Sequence, residues 1–223
     1  MQELELRWES ALVEVISFDL EGTLVTLDFS ESVWHQGIPM LYAQDRGLSL
    51  KEAMEIVFQE YERVGEERVE WYDIKYWFKH LNLKGDYIRV FDYYRRRVTL
   101  YPETIQVLEQ FSKSYTLILA TNTSREFLNV LTEKISKHFK YVFSATSDFG
   151  IVKKNVEFYR RVAEALNVNP AEIAHVGDRW EDDYIVPRMF GIQAYYLDRA
   201  CSRTGEHVVR DLIEFSSKIH KTK

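Results

Sequence analysis

The chain has little cysteine, no long apolar run and no surplus of positive charge, and each shortage closes off a class of protein. Cys201 is the sole cysteine among 223 residues, so no intrachain disulfide can form, which fits a reducing compartment. Arg199 and Arg203 neighbour it without an evident base, so nothing marks it as a catalytic thiol. No apolar stretch approaches the roughly 20 residues that span a bilayer. The amino terminus, MQELELRWES, is acidic and lacks the unbroken apolar core of a signal peptide. A cytoplasmic protein with no membrane partner is expected. The formal net charge of −6 opposes general nucleic-acid binding, which needs a basic surface to displace counterions. Arg95-Arg96-Arg97, the sharpest basic cluster, reads as a solvated face. No internal repeat or low-complexity tract is visible.

With 46% hydrophobic and 29% charged residues, the composition is that of a folded globular protein. Its length suits one large domain or a core with a smaller companion. Val13, Val15, Ile16 and Phe18 form a strand-like run that stops at Asp19, and Gly22-Thr23 then breaks the chain. Asp19 is therefore expected at the carboxyl end of a strand, where open α/β sheets bind ligands. Three more strand-like runs end in polar residues: Tyr115–Ala120 before Thr121-Asn122, Tyr141–Ala145 ahead of Lys153, and Ile173–Val176 before Gly177-Asp178 with Asp182 and Asp183 behind. Carboxylates bind a hard cation such as Mg2+, and a lysine with a hydroxyl holds phosphate oxygens. A carboxylate can also attack phosphorus and divide one displacement into two.

This ordered set resembles the haloacid dehalogenase superfamily, in particular its Mg2+-dependent phosphatases with a helical C1-type cap. The DxDGT motif is matched by Asp19-Leu20-Glu21-Gly22-Thr23, with Glu in the second acidic position. Leu117–Thr121 matches the strand ending in Thr or Ser, Lys153 the lysine, and Gly177, Asp178 and Asp183 the GDxxxxD motif. The likeness runs from about Val13 to Asp198. It implies a doubly wound parallel α/β sheet with the Asp19 strand central, between the Ile173 and Leu117 strands. It implies Asp19 as nucleophile and metal ligand, with Mg2+ also held by Asp178 and the main-chain carbonyl of Glu21. Thr121, Asn122 and Lys153 are expected on the phosphoryl group, and Asp183 behind the metal, orienting water or Lys153. Lys154, at a position the family often fills with proline, is expected to be exposed. Asp182 is expected to be solvated or a weak outer ligand, and His175 a packed histidine.

Glu21 is the departure that matters. The family's residue at this position protonates the departing alkoxide and then activates water. Glutamate keeps the carboxyl at a similar reference pKa, about 4.3 against 3.9, and changes reach instead. The superfamily's enolase-phosphatases also carry Glu here.

After residue 100 the chain alternates strands and helices. Pro102 suits the first turn of a helix over 103–112, Thr123-Ser124-Arg125-Glu126 looks like a capping box, and Asn155 is a cap for a helix reaching Leu166. Asn169-Pro170 marks a turn. The 183–190 helix is expected to bend or restart at Pro187 and close at Gly191. A strand over 192–197 and a helix near 208–219 follow. Residues 29–99 show long helical periodicity, as at Leu50, Met54, Val57, Phe58 and Tyr61. They are expected to form the cap, inserted into a core made of residues 1–28 and 100–223. The cap's aromatics are expected mainly to pack a small helical domain; Trp34, Trp71, Tyr72 and Tyr76 are the unranked candidates to face substrate, and cap closure would exclude water.

The function expected is phosphomonoester hydrolysis of a small phosphorylated metabolite through a phospho-aspartyl intermediate. Two alternatives share the fold: a 2-haloacid dehalogenase, which uses the same aspartate on carbon without Mg2+, and a non-catalytic binding protein. Glu21 and the Asp178/Asp183 pair weigh against the first, and the full motif set against the second.

Overall fold

A computed structural model describes residues 12–221; the amino-terminal segment read above as no signal peptide lies outside them. β1 (Val15–Phe18) is buried along its whole length. Its alternating side chains feed two separate cores. Ile16 and Phe18 join Leu117, Leu119 and Val176 on one face, while Val15 joins Ile118, Ala120 and Ile173 on the other. Burial on both faces is why these strands read as continuous apolar runs and not as an alternation of apolar and polar residues.

Between β1 and the next strand the described chain is helical: α1 (Asp28–Ser32), α2 (Ile38–Arg46), α3 (Leu50–Val64), α4 (Ile74–His80) and α5 (Tyr87–Tyr94). A π-helical turn, Val33–Gly37, joins α1 to α2. Ser49 and Glu52 form a reciprocal capping box that starts α3, and Asp73 and Asp86 cap α4 and α5. The two crossings between this helical segment and the sheet are bonded to each other. Thr26 N–H donates to Thr99 O at 2.9 Å, and Tyr101 N–H to Leu24 O at 3.1 Å.

The chain continues through α6 (Thr104–Phe111), β2 (Thr116–Thr121), α7 (Arg125–Leu131), β3 (Tyr141–Ser144), α8 (Ala145–Phe149), α9 (Val156–Leu166), β4 (Ile173–Gly177), α10 (Val186–Phe190), β5 (Gln193–Leu197), β6 (Val208–Val209) and α11 (Leu212–Lys221). All neighbouring strands pair in parallel, in the order β3-β2-β1-β4-β5-β6. β1 is central as expected, with Phe18 in register with Leu119 on one side and Val176 on the other.

Three local expectations need correction. α7 begins one residue later than the capping pattern suggested, with Ser124 at its N-cap and no side-chain cap bond, so Thr123 is freed for other contacts. A π-helical turn, Trp180–Ile185, precedes α10, so the helical path starts before Asp183; Pro187 falls in the first turn of α10 and Gly191 closes it. The final helix starts at Leu212 because Val208-Val209 pairs with β5.

Candidate active site

The carboxyl ends of β1, β2 and β4 deliver Asp19, Thr121 and Asp178 to one cavity of about 290 Å3. Glu21, Asn122, Thr123, Lys154 and Asp182 also line it, and Trp71 and Tyr72 reach it from the helical segment. Asp19, Asp178 and Asp183 each offer a carboxylate oxygen, and these oxygens lie within 4.8 Å of one another.

The lysine at the centre is Lys154, not Lys153. Its side chain is 1% exposed, and Nζ lies 2.6 Å from Asp19 Oδ1, 3.3 Å from Ala120 O and against Asp183 Oδ1. Lys153 takes a left-handed backbone, φ 59°, which turns its side chain away from its neighbour's direction. Its ammonium instead meets Glu67 at 2.6 Å and Glu66 at 3.5 Å, at the end of the loop after α3. Lys153 therefore does not occupy the position expected of it, and Lys154 is far from exposed.

One ammonium shared by two buried carboxylates leaves the group net negative. Burial opposes the charge on Lys154, but Asp183 and Asp19 outweigh it and hold the pKa above the ordinary lysine value. Burial works against ionised Asp183 too. Lys154 and His175 overcome it and draw the pKa down to about 2. The deficit falls on Asp19, raised by burial and by Asp183 despite Lys154. Asp178 is pushed up to about 7 by burial and by the charges of Asp19 and Asp183. Desolvated carboxylates that repel one another form a hard oxygen set matched to a divalent cation, which would relieve that repulsion.

His175 is buried behind Asp183, as a packed histidine should be. Nε2 lies 3.1 Å from Asp183 Oδ1, and Nδ1 lies 2.8 Å from Ser17 Oγ. Asp183 Oδ2 accepts from Arg179 N–H at 3.0 Å, so both of its oxygens are engaged within the protein. Asp182 departs from expectation. It is buried, and its Oδ2 accepts from Asn122 Nδ2 at 3.3 Å. The wider π-helical turn lets two successive aspartates face inward.

Glu21 lies beside this cluster. Burial raises its pKa to about 7, against the opposing pull of the Ser30 and Thr123 hydroxyls. Thr123 Oγ1 donates to Glu21 Oε2 at 2.9 Å and receives the Thr121 hydroxyl at 3.1 Å. A threonine read as a helix cap thus links the hydroxyl at the end of β2 to the glutamate after β1. Gly22 makes the close packing possible. Its φ is +80°, and a Cβ there would lie 2.2 Å from Asp178 Oδ2.

Of the four aromatics singled out, Trp71 and Tyr72 line this cavity, and Trp34 lines a neighbouring one. Tyr76 turns aside, stacked on His80 at 5.2 Å. The Arg95–Arg97 cluster is at the surface, where Arg95 pairs with Asp92 and Glu133. Cys201 is an exposed free thiol. No helix among the described residues is long and apolar enough to cross a membrane.

A doubly wound parallel α/β fold with a carboxylate-rich site at the carboxyl edge of its sheet is the class this structure defines. A family model for haloacid dehalogenase-like hydrolases matches residues 13–191, and the chain belongs to that family. It is 28% identical over 178 residues to the GMP/IMP nucleotidase YrfG of Escherichia coli strain K12, covering 78% of each chain. Two crystal structures share the fold. The HAD phosphatase from Thermococcus onnurineus superposes with a TM-score of 0.79 at 22% identity, covering 92% of this chain and 97% of that one. The 2-haloacid dehalogenase from Pseudomonas syringae gives 0.69 at 17% identity, covering 95% and 100%.

Proposed function

We propose that the protein is a Mg2+-dependent phosphomonoester hydrolase that works through a phosphorylated Asp19. The observation that carries this reading is the pairing of Asp19, held at 2.6 Å by Lys154, with a separate carboxyl lining the same cavity, Glu21, which accepts from Thr123 Oγ1 at 2.9 Å and stands where a proton can be given and taken. Asp19, Asp178 and the main-chain carbonyl of Glu21 would hold Mg2+, which supplies charge neutralisation to the transferring group.

Asp19 attacks phosphorus as the ester P–O bond breaks, and the departing alkoxide takes the proton of Glu21. Glu21, now ionised, removes a proton from water that attacks the acyl-phosphate. Asp19 is restored and inorganic phosphate leaves. Lys154, Thr121 and Asn122 bind phosphoryl oxygens, and Asp183 orients Lys154. Residues 29–99 act as a cap over a core of residues 1–28 and 100–223, placing Trp71 and Tyr72 against the leaving group. A dehalogenase needs no carboxyl at position 21, so the buried Glu21 favours phosphate over halide chemistry.

The test is phosphate release from a panel of small phosphorylated metabolites, with Mg2+ and with EDTA, alongside halide release from 2-haloacids. Similarity to a GMP/IMP nucleotidase puts nucleoside monophosphates first in that panel. Metal-dependent phosphate release supports the reading; metal-independent halide release overturns it.

A further inference from the structure

Trp71 is shared between the catalytic cavity and a second pocket of about 380 Å3, whose other walls include Trp34, Phe58, Tyr61 and Trp77. That volume lies in the usual range for a small-ligand site, about 300–1,000 Å3. The lining residues brace one another, with one further brace from Phe127 outside the pocket. Trp34 stacks on Phe127 at 5.2 Å and 20°, and Tyr61 OH donates to Trp34 O at 3.1 Å. Trp77 Nε1 donates to Trp71 O at 3.1 Å, which fixes the backbone of the shared wall. Glu62 is the only carboxylate among the lining residues. It is exposed, and its side chain makes no ion pair or hydrogen bond with the described residues.

We propose that this pocket receives the base of the substrate, and that the substrate is a 6-oxopurine nucleoside 5′-monophosphate. The inference rests on the phosphatase reading above and extends it to the leaving group. Trp34, Phe58 and Trp71 are the partly exposed rings of the pocket, with Tyr61 and Trp77 buried behind them, and an aromatic lining of this kind favours a planar heteroaromatic ring that can stack or meet ring edges. A bare sugar phosphate or a phosphorylated amino acid has no such face to offer. The shared Trp71 wall puts the base pocket next to the phosphate cavity, as a single ligand carrying both groups requires. Glu62 supplies a charged acceptor. A 6-oxopurine presents N1–H to it, and guanine adds its 2-amino group, whereas adenine turns an unprotonated N1 to the same carboxylate. Binding energy from a base remote from phosphorus then serves to orient the reacting end.

The test uses the full chain with Mg2+ and compares kcat/KM for GMP, IMP, AMP and ribose 5-phosphate. GMP and IMP should exceed ribose 5-phosphate by about tenfold or more. Glu62→Gln should lower the GMP value about tenfold and narrow the GMP-to-AMP ratio. Trp34→Leu should lower the ratio of GMP to ribose 5-phosphate. Glu62 is exposed, so its variant keeps the test intact if the tryptophan change disturbs folding. Guanosine, which lacks phosphate, reads the pocket without turnover. It should quench tryptophan fluorescence saturably, and more weakly in Glu62→Gln. Ribose 5-phosphate hydrolysed as fast as GMP, with no guanosine quenching, overturns the base pocket and leaves the phosphatase reading standing. Guanosine binding with no phosphate released from any ester overturns the phosphatase reading instead.

Discussion

Lys154 Nζ lies 2.6 Å from Asp19 Oδ1, while Lys153, its chain neighbour, points outward to Glu67. Lys154→Met leaves two carboxylates buried without their shared cation. Loss of one partner from a buried ion pair costs about 3–5 kcal/mol, which a denaturant midpoint would register. Turnover should fall by about 10²-fold or more, the usual effect of removing one oriented donor. Lys153→Met breaks only exposed pairs, so stability should move by about 1 kcal/mol at most. Equal losses of activity in the two variants would reverse the assignment of Lys154.

Asp19→Asn should abolish phosphate release while leaving the thermal transition in place, because an amide lacks the charge to attack phosphorus. The measurement is turnover of purified protein whose substitution is verified by mass spectrometry. Normal turnover would rule out an aspartyl-phosphate route.

Glu21→Gln should slow turnover about 10²–10⁴-fold, with the loss depending on the leaving group. p-Nitrophenyl phosphate needs little protonation, so its first step should suffer less than that of an alkyl ester. Water activation still needs the carboxylate, so phosphorylated Asp19 should accumulate. Stopped-flow absorbance should show a burst of nitrophenol followed by slow turnover. Equal slowing of both esters without a burst would leave Glu21 its carbonyl role alone.

EDTA should stop the reaction and added Mg2+ restore it. Asp178→Ala should raise the Mg2+ concentration for half-activation far more than Asp182→Ala, because Asp182 is already bonded to Asn122. A larger effect at Asp182 would move the metal ligand from Asp178 to Asp182.

Gly22→Ala combines a left-handed backbone with a Cβ 2.2 Å from Asp178 Oδ2, so it should cost both stability and metal affinity. Gly47→Ala has a similar φ of +66° with nothing within 4 Å, and should cost only about 1–2 kcal/mol without loss of activity. Activity assayed at a temperature where both are folded separates strain from collision.

Strand ends were the legible part of this site. Asp19, Thr121 and Asp178 each follow an apolar run that the sheet buries on both faces, so their positions could be read from the run alone. The strand order came from family resemblance, since alternation does not encode it. Lys154 was misread because a positive φ at a lysine leaves no mark in the residue types. Asn155 was correctly read as a helix cap, but a cap does not state which of the two lysines before it turns inward. Thr123 satisfied the spacing of a capping box, but Ser124 takes the cap position and the Thr123 hydroxyl goes to Glu21. Asp182 turned inward because a π-helical turn changes which residues share a face, and periodicity assumes the ordinary turn. The aromatic pocket was out of reach for a different reason: its walls come from α3, α4 and two short turns whose mutual packing no local pattern states.

The paired crossings at Thr26–Thr99 and Leu24–Tyr101 tie the two chain passages between the helical segment and the sheet into one short ladder. Apolar packing continues the junction beyond that ladder, with Phe91 and Trp34 against Phe127 at 4.7 and 5.2 Å. Lys153–Glu67 and Arg95–Glu133 add exposed ion pairs at its edge. Salt screens exposed charges and spares apolar contact, so raising the ionic strength should fray the rim of this junction and leave its seam closed.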